Sequence, residues 1–242
     1  MSASALTVAV VPEESPHPLD SATWDSLTGA HARFAQGDGL GRRYDPDVSP
    51  FAAVASFDDP DAWRDLRALY ADGEVAGLAG PTGFTRTVPT GWELDGVVAG
   101  VQLVSTDALW SAAADDAYVV GADDAAEAMD LVARTEPGPF RPRTYELGTY
   151  LGLRRDGRLV ALAGERLHPP GWTEISAVCT DPAHRRQGLA TRLVRAVAEL
   201  VRERGETPFL HTSAANTRAI DLYLAMGFEL RREVEFAAFR AV

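Results

Sequence analysis

The segment RRQGLA, from Arg185 to Ala190, has the residue types of a turn that binds phosphate. It precedes a predicted helix, and the first backbone N–H groups of a helix lack intrahelical partners and lie at the positive end of its dipole. Gly188 and Ala190 lack the side chains that would keep a diphosphate away, while Arg185 and Arg186 add positive charge. The turn therefore predicts an anion site, with an ordinary solvated loop as the alternative.

Regular elements on both sides are expected to hold this turn in place. A short apolar run over residues 172–180 predicts a buried strand before it, and residues 208–212 predict the next strand. Between the two strands, apolar residues recur at helical spacing and share one face: Leu189, Leu193, Val197 and Leu200. A second predicted helix carries Tyr223 on its apolar face and ends at Gly227. The resulting order is strand, phosphate turn, helix, strand, helix.

Three features of this half occur together: the RRQGLA turn, Asn216 after the fifth strand, and the spacing of Ala219, Tyr223, Gly227 and Phe228. Together they resemble the acyl-CoA site of the GNAT superfamily of N-acetyltransferases, in the subgroup similar to the C-terminal half of glycine N-acyltransferases. The resemblance covers residues 123–242. It implies an α/β (mixed α+β) fold with a splayed, mostly antiparallel sheet flanked by helices, in which the pantetheine arm lies between the fourth and fifth strands.

The same resemblance implies which residues contact the acyl-CoA. They come from the end of the fourth strand, the turn and the two helices: Ala177, Val178, Cys179, Thr180, Arg185, Arg186, Gln187, Gly188, Leu189, Ala190, Thr191, Asn216 and Tyr223. Backbone groups around Val178, left unpaired by the splay, are expected to bind the pantetheine arm, and the N–H near Val178 to hold the developing oxyanion.

Acetyl transfer from a thioester to an amine needs a neutral amine, a polarised carbonyl and a proton for the leaving thiolate. Glu174, eleven residues before Arg185, matches the position of a general base in several family members, and partial burial is expected to raise its pKa. A surface glutamate in a cross-strand pair is the alternative. Tyr223 matches the position of a phenol that protonates the thiolate, with an ordinary core tyrosine as the alternative.

Two further residues near this site have chemistry of their own. His211, at the end of the fifth strand, is an alternative base, although a histidine hydrogen-bonded within the sheet is the more common case. Cys179 is expected to be a small buried residue rather than a nucleophile. The acyl group is therefore expected to pass to the amine by direct attack, without an acyl-enzyme.

Composition excludes several other functions. The 242 residues include no lysine, so the chain has no Walker-type P-loop, which requires Gly-Lys-Ser/Thr. The net charge of −12 argues against a nucleic-acid partner, although residues 136–242 are basic, with 16 arginines against 13 acids.

Cys179 is the single cysteine and no Cys and His cluster has metal-ligand spacing, so we expect neither a disulfide nor a metal. No apolar run is long enough to span a membrane and the first ten residues lack a signal-peptide pattern, so we expect a cytoplasmic protein.

An Ala- and Asp-rich stretch at residues 113–124 predicts a boundary between an N-terminal α/β domain, 1–120, and a catalytic GNAT domain, 121–242. The resemblance implies that the first domain is a degenerate second GNAT-like copy, although no sequence repeat is visible. In the N-terminal half the patterns predict helices over 21–35 and 61–71 and strands over 51–57, 75–79 and 97–104. In the C-terminal half they predict a further helix over 123–134 and strands over 148–154 and 158–167.

The predicted activity is that of an acyltransferase. It is an N-acetyltransferase that transfers an acetyl group from acetyl-CoA to a primary amine, on a small molecule or an amino terminus, within a ternary complex. The alternative is a catalytically inactive sensor or interaction module that binds acyl-CoA. The presence of both Glu174 and Tyr223 favours the enzyme. Neither the identity of the amine nor the oligomeric state has a sequence signal.

Overall fold

The computed structural model describes residues 17–242, and the first ten residues, considered above for a signal peptide, lie outside them. The N-terminal half contains α1 (Ala22–Thr28), β1 (Ala35–Gln36), β2 (Gly41–Tyr44), β3 (Ala52–Val54), α2 (Pro60–Arg67), β4 (Val75–Pro81) and β5 (Trp92–Ser105). The C-terminal half contains β6 (Tyr118–Val119), α3 (Ala125–Thr135), β7 (Tyr150–Arg155), β8 (Arg158–Glu165), β9 (Trp172–Thr180), α4 (Leu189–Glu203), β10 (Thr207–Ser213), α5 (Thr217–Met226) and β11 (Phe228–Ala241).

Eight strands form the main sheet, in the order β4-β11-β5-β10-β9-β8-β7-β6, and β1, β2 and β3 form a small second sheet. Neighbouring strands of the main sheet are antiparallel except β9 and β10, which are parallel. That parallel pairing joins only Trp172–Glu174 to Thr207–Phe209, and the two strands then separate. This splayed, mostly antiparallel sheet flanked by helices confirms the predicted fold class.

Helices cover both faces of the sheet, because strand residues alternate between the faces. On one face, apolar residues of α4 and α5 share a core with Leu103, Ile175 and Leu210. On the other, residues of α1 and α3 pack with Val104, Cys179 and Phe209. The apolar stripe predicted for α4 is buried apart from half-buried Leu200, which fixes the turn that precedes this helix.

The N-terminal half supplies strands to the centre and to one edge of the main sheet. β5 lies between β11 and β10, and β4 pairs with the outer side of β11. The division at residue 120 stays a prediction, and strands from both sides of that residue share this sheet.

Several predicted elements have different bounds in the structure. The helix expected over 21–35 ends at Thr28, because Gly29 follows and the buried Ser26 hydroxyl donates to the carbonyl of Ala22. The helix expected over 61–71 begins at Pro60, after the Asp59 cap, and ends at Arg67. The strand expected over 97–104 is the longer β5, Trp92–Ser105, in the structure. No strand was predicted at the positions of β2 and β11. The predicted stop of α5 at Gly227 is confirmed, with φ +102°.

Candidate active site

The turn between β9 and α4 presents a row of unused backbone donors. The N–H groups of residues 186–191 donate no hydrogen bond within residues 17–242. Arg186 and Gly188 are both left-handed, with φ of +62° and +74°, and Gly188 is the N-cap of α4 without a side-chain cap. Alternating backbone conformations of this kind form an anion-binding concavity. A Cβ added at Gly188 would meet no atom within 4 Å, so the space above the turn is open.

The side chains around this turn suit an anion as well. Arg185 and Arg186 are exposed, and neither forms an ion pair within the described part of the chain. Gln187 is also exposed, whereas Leu189 is buried in the core beneath α4 and offers only its backbone. Ala190 and Thr191 are half-buried on the first helical turn. The structure therefore brings the predicted phosphate-binding residues together at one helix end.

The strand before this turn ends in an irregular segment beside the splay. Ala177 has φ +52°, and the pairing of β9 with β8 shifts register at this point. Pairing of β9 with β10 ends at Glu174, so Val178 and Thr180 have no strand partner on the β10 side, and the buried Thr180 hydroxyl has no partner within residues 17–242. Cys179 points into the opposite core, where burial raises the pKa of its thiol to about 11. Cys179 is thus a buried, protonated thiol in the structure.

The helix across the splay carries the other two predicted residues. Asn216 caps α5, and its Oδ1 accepts a hydrogen bond from the N–H of Ala219 at 3.2 Å. Tyr223 is buried, and its hydroxyl makes no hydrogen bond within the described residues. Burial, and after it the neighbouring Cys179, raises the pKa of Tyr223 to about 12, so the phenol keeps its proton at neutral pH.

Glu174 is completely buried and held by two basic side chains. Arg166 donates from Nε to Oε2 at 2.7 Å and from Nη2 to Oε1 at 2.5 Å, and His211 Nδ1 lies 2.7 Å from Oε1. The expectation that burial raises the pKa of Glu174 is wrong. Although desolvation acts in that direction, the charge and hydrogen bonds of Arg166, followed by those of His211, lower this pKa to about 2.

The hydrogen bonds around His211 fix its tautomer. Gln102 accepts from Arg231 through Oε1 at 2.6 Å and donates through Nε2 to the carbonyl of Leu19 at 3.1 Å, which sets the orientation of its amide. The same Nε2 lies 3.0 Å from Nε2 of His211, so this amide donates to the ring. These hydrogen bonds assign the acceptor role to Nε2 of His211 and the donor role to Nδ1, which is directed at Glu174.

Glu174 and His211 form a carboxylate–imidazole pair, and the partner that the sequence analysis missed is Arg166. Its charge within the mostly apolar strand predicted over 158–167 is the one available signal. Its guanidinium also lies 4.9 Å from the ring centroid of Phe51, so the N-terminal half helps to hold it. His211 is among the residues that line a cavity of about 1510 Å³.

Residues 150–237 match the family model described as FR47-like protein. A crystal structure from Novosphingobium aromaticivorans, of a protein assigned to the GNAT family of acetyltransferases, is 36% identical and superposes with a TM-score of 0.85, covering 94% of this chain and 100% of that one.

The chain belongs to the GNAT family. A GNAT acetyltransferase from Kribbella flavida shares the fold, at 20% identity and a TM-score of 0.64, over 92% of this chain and 94% of that one. Rat N-acetyltransferase 8B is 34% identical over 95 residues, which are 34% of this chain and 43% of the rat protein, so the chain spans less than half of that relative. These relatives support acyl transfer as the general activity of this GNAT protein.

The predicted site residues from Glu174 to Tyr223 all lie inside the segment that matches the family model. The described residues of this GNAT chain include no group of three or more His, Cys, Asp or Glu side chains placed to hold a metal ion. They also include no helix with the length and apolarity needed to cross a bilayer.

Proposed function

We propose that the protein is an N-acetyltransferase that transfers the acetyl group of acetyl-CoA to a primary amine, on a small molecule or an amino terminus, by direct attack in a ternary complex. The likeness to glycine N-acyltransferases and the assignment of catalysis to residues 121–242 belong to this proposal. The observation that carries it is the position of the Glu174–His211 pair beside the splay that also leads to the free N–H groups of residues 186–191.

Acetyl-CoA fits the residues present at the splay. The open space above Gly188 and the unused N–H groups suit a diphosphate, and Arg185 and Arg186 supply unpaired positive charge. The partnerless Thr180 hydroxyl and the unpaired edge of β9 near Val178 suit the amide groups of a pantetheine arm. Bound there, acetyl-CoA supplies a thioester carbonyl to the amine.

In this proposal His211 takes the proton of the attacking amine, and Glu174 acts through it. A carboxyl with a pKa near 2 stays ionised at neutral pH and is a weak proton acceptor. It holds Nδ1–H of His211 in place and stabilises the imidazolium that forms when Nε2 accepts a proton, as a buried carboxylate does beside a catalytic histidine. Gln102 must release Nε2 for this step, because its amide occupies that lone pair.

Tyr223 is proposed to donate a hydrogen bond to the leaving sulfur. The phenol keeps its proton at neutral pH because its pKa is raised to about 12. Its hydroxyl makes no hydrogen bond within residues 17–242. A phenol of this pKa is a weaker acid than an ordinary thiol, so it stabilises the developing thiolate mainly by hydrogen bonding rather than by complete proton transfer.

Two measurements test the proposal and separate it from a protein that only binds acyl-CoA. Thermal-shift titration with CoA is expected to raise the melting temperature, because the ligand binds only the folded state. Thiol release from acetyl-CoA is then followed across a panel of primary amines and is expected to depend on the amine. Stabilisation by CoA without thiol release from any amine would indicate a binding module instead of an enzyme.

A further inference from the structure

The two halves of the chain repeat one arrangement of strands and helix. In the C-terminal half, β9, α4 and β10 form a strand, a helix and a parallel strand whose pairing ends after three residues. In the N-terminal half, β3, α2 and β4 are likewise a strand, a helix and a strand. Phe51, the residue before β3, forms a single parallel bridge with Gly77 of β4. The central order β4-β11-β5-β10, antiparallel throughout, relates the halves by an approximate twofold axis between β11 and β5.

The N-terminal cleft occupies the place that corresponds to the acyl-CoA cleft, but its helix end does not suit a diphosphate. The carboxylate of Asp59 accepts the N–H of Asp61 at 2.8 Å, and Pro60 has no N–H to offer. Asp58 and Asp61 add negative charge at the same helix end. This contrasts with the uncapped, arginine-flanked N-terminus of α4, so a second nucleotide is disfavoured here.

The same cleft is nevertheless open, and it leads to the candidate base. The cavity of about 1510 Å³ extends from His211 and Gln102 to the separation of β3 and β4, where Ala55, Ala79 and Trp63 line it. Its volume exceeds the range of about 300–1,000 Å³ that is usual for small-ligand sites, and so exceeds what a short amine needs.

Aromatic side chains form part of the wall of the cleft. Phe57 and Phe84 are tilted against each other with ring centroids 4.5 Å apart, and Phe57 also lies 6.1 Å from Trp63. Polar side chains line the cavity both near His211, where Gln102 contributes, and on the side of α2, where Arg64 and Arg67 contribute. The aromatic part of the wall suits the apolar or aryl body of a ligand whose polar head reaches His211.

We propose that the N-terminal cleft holds the acceptor: an amine with an extended apolar or aryl body, whose body lies between β3, α2 and β4 while its nitrogen reaches His211. This inference rests on the proposed function, because it assigns a substrate class to the same reaction. The degenerate half thereby serves as the acceptor-binding half, and one acetyl-CoA binds per chain.

The test compares a short amine, ethylamine, with a long aryl amine, 4-phenylbutylamine, at saturating acetyl-CoA. The long amine is expected to have a kcat/KM higher by about tenfold or more, because each buried methylene adds to binding. Ala55→Trp places a large side chain in the cleft and is expected to remove that advantage. Ala68→Trp is the matched control, because Ala68 is exposed on the same half and does not line the cavity.

Calorimetry supplies readouts that do not depend on turnover. We expect one CoA bound per chain, and binding of 4-phenylbutylamine that Ala55→Trp weakens and Ala68→Trp does not. Equal kcat/KM for the two amines, equal effects of the two tryptophan variants, or two CoA molecules per chain would each overturn the inference. Binding of the long amine without any turnover would keep the cleft assignment and refute the proposed function, and absence of both would refute both.

Discussion

Oε1 of Glu174 accepts a hydrogen bond from Nδ1 of His211 at 2.7 Å, just beyond the point where β9 and β10 separate. The bond joins β9 and β10 at the opening between these strands, where the thioester is proposed to bind. Arg166 donates hydrogen bonds to both oxygens of this carboxylate. The group of the pair that can take up a proton is therefore Nε2 of the imidazole.

Replacing the imidazole tests this division of roles. His211→Asn retains an N–H donor near the position of Nδ1 but removes the basic Nε2. We expect kcat to fall about 100-fold, the usual contribution of a positioned general base, while the affinity for acetyl-CoA stays unchanged. The measurement is steady-state thiol release together with calorimetric binding of CoA. An unchanged kcat would show that the proton leaves by another route.

The buried ion pair of Glu174 and Arg166 makes a prediction about acid stability. The pKa of Glu174 is about 2 in the folded protein against 4.5 for the free side chain, so the pair stabilises the protein fully above pH 4.5 and the stabilisation is lost as pH falls towards 2. The shift corresponds to about 3 kcal/mol. The free-energy difference between wild type and Glu174→Gln, measured by chemical denaturation, should be constant near neutral pH and shrink below pH 4.5. A difference that does not change down to pH 2 would contradict the ion pair.

Two glycines at opposite ends of α4 provide a matched test of the phosphate turn. Gly188 and Gly205 are both left-handed, with φ of +74° and +77°, and an added Cβ at either meets no atom within 4 Å. Gly188→Ala and Gly205→Ala should therefore each cost about 1 kcal/mol in stability. Only Gly188→Ala is expected to weaken CoA binding, by about tenfold, because its methyl group would stand where the diphosphate sits. Equal CoA affinities in the two variants would place the diphosphate elsewhere.

Removal of the Tyr223 hydroxyl is expected to affect turnover alone. Because that hydroxyl makes no hydrogen bond within the described residues, Tyr223→Phe should leave the melting temperature and the CoA affinity unchanged. We expect kcat to fall by about tenfold or more, as when one hydrogen-bond donor to a developing charge is lost. Tyr118→Phe, on β6 at the far edge of the sheet, serves as the control. If both variants retain full kcat, Tyr223 is an ordinary core residue.

The sequence was sufficient to predict β9, α4 and the stop at Gly227, because each depends on local patterns. β9 has the predicted bounds, and α4 follows the predicted apolar spacing. Charged residues dominate the first half of β11 and conceal its alternating buried residues Ala237, Phe239 and Ala241, so its strand character was missed. The position of β5 in the middle of the sheet is a matter of long-range pairing, which no local pattern specifies.

The candidate site, too, depends on long-range contacts that local sequence patterns do not specify. Glu174 was selected because its position, eleven residues before Arg185, matches that of a base in the family it resembles, but the direction of its pKa shift depends on partners distant in sequence. His211 lies 37 residues away, and the Gln102 amide that fixes the imidazole comes from the other half of the chain. The family resemblance pointed to the carboxylate, and only the packing of the strands placed it against an imidazole.

The central claim is that this protein acetylates amines. The most direct measurement incubates wild-type protein with acetyl-CoA and 4-phenylbutylamine, then counts free CoA thiol and N-acetylated amine by mass spectrometry over time. The account predicts that the two products appear in equal amounts, at a rate that depends on the amine concentration and falls strongly in His211→Asn. A rate of thiol release that does not change with the amine concentration would contradict this claim. So would the absence of acetylated amine from a protein that binds CoA.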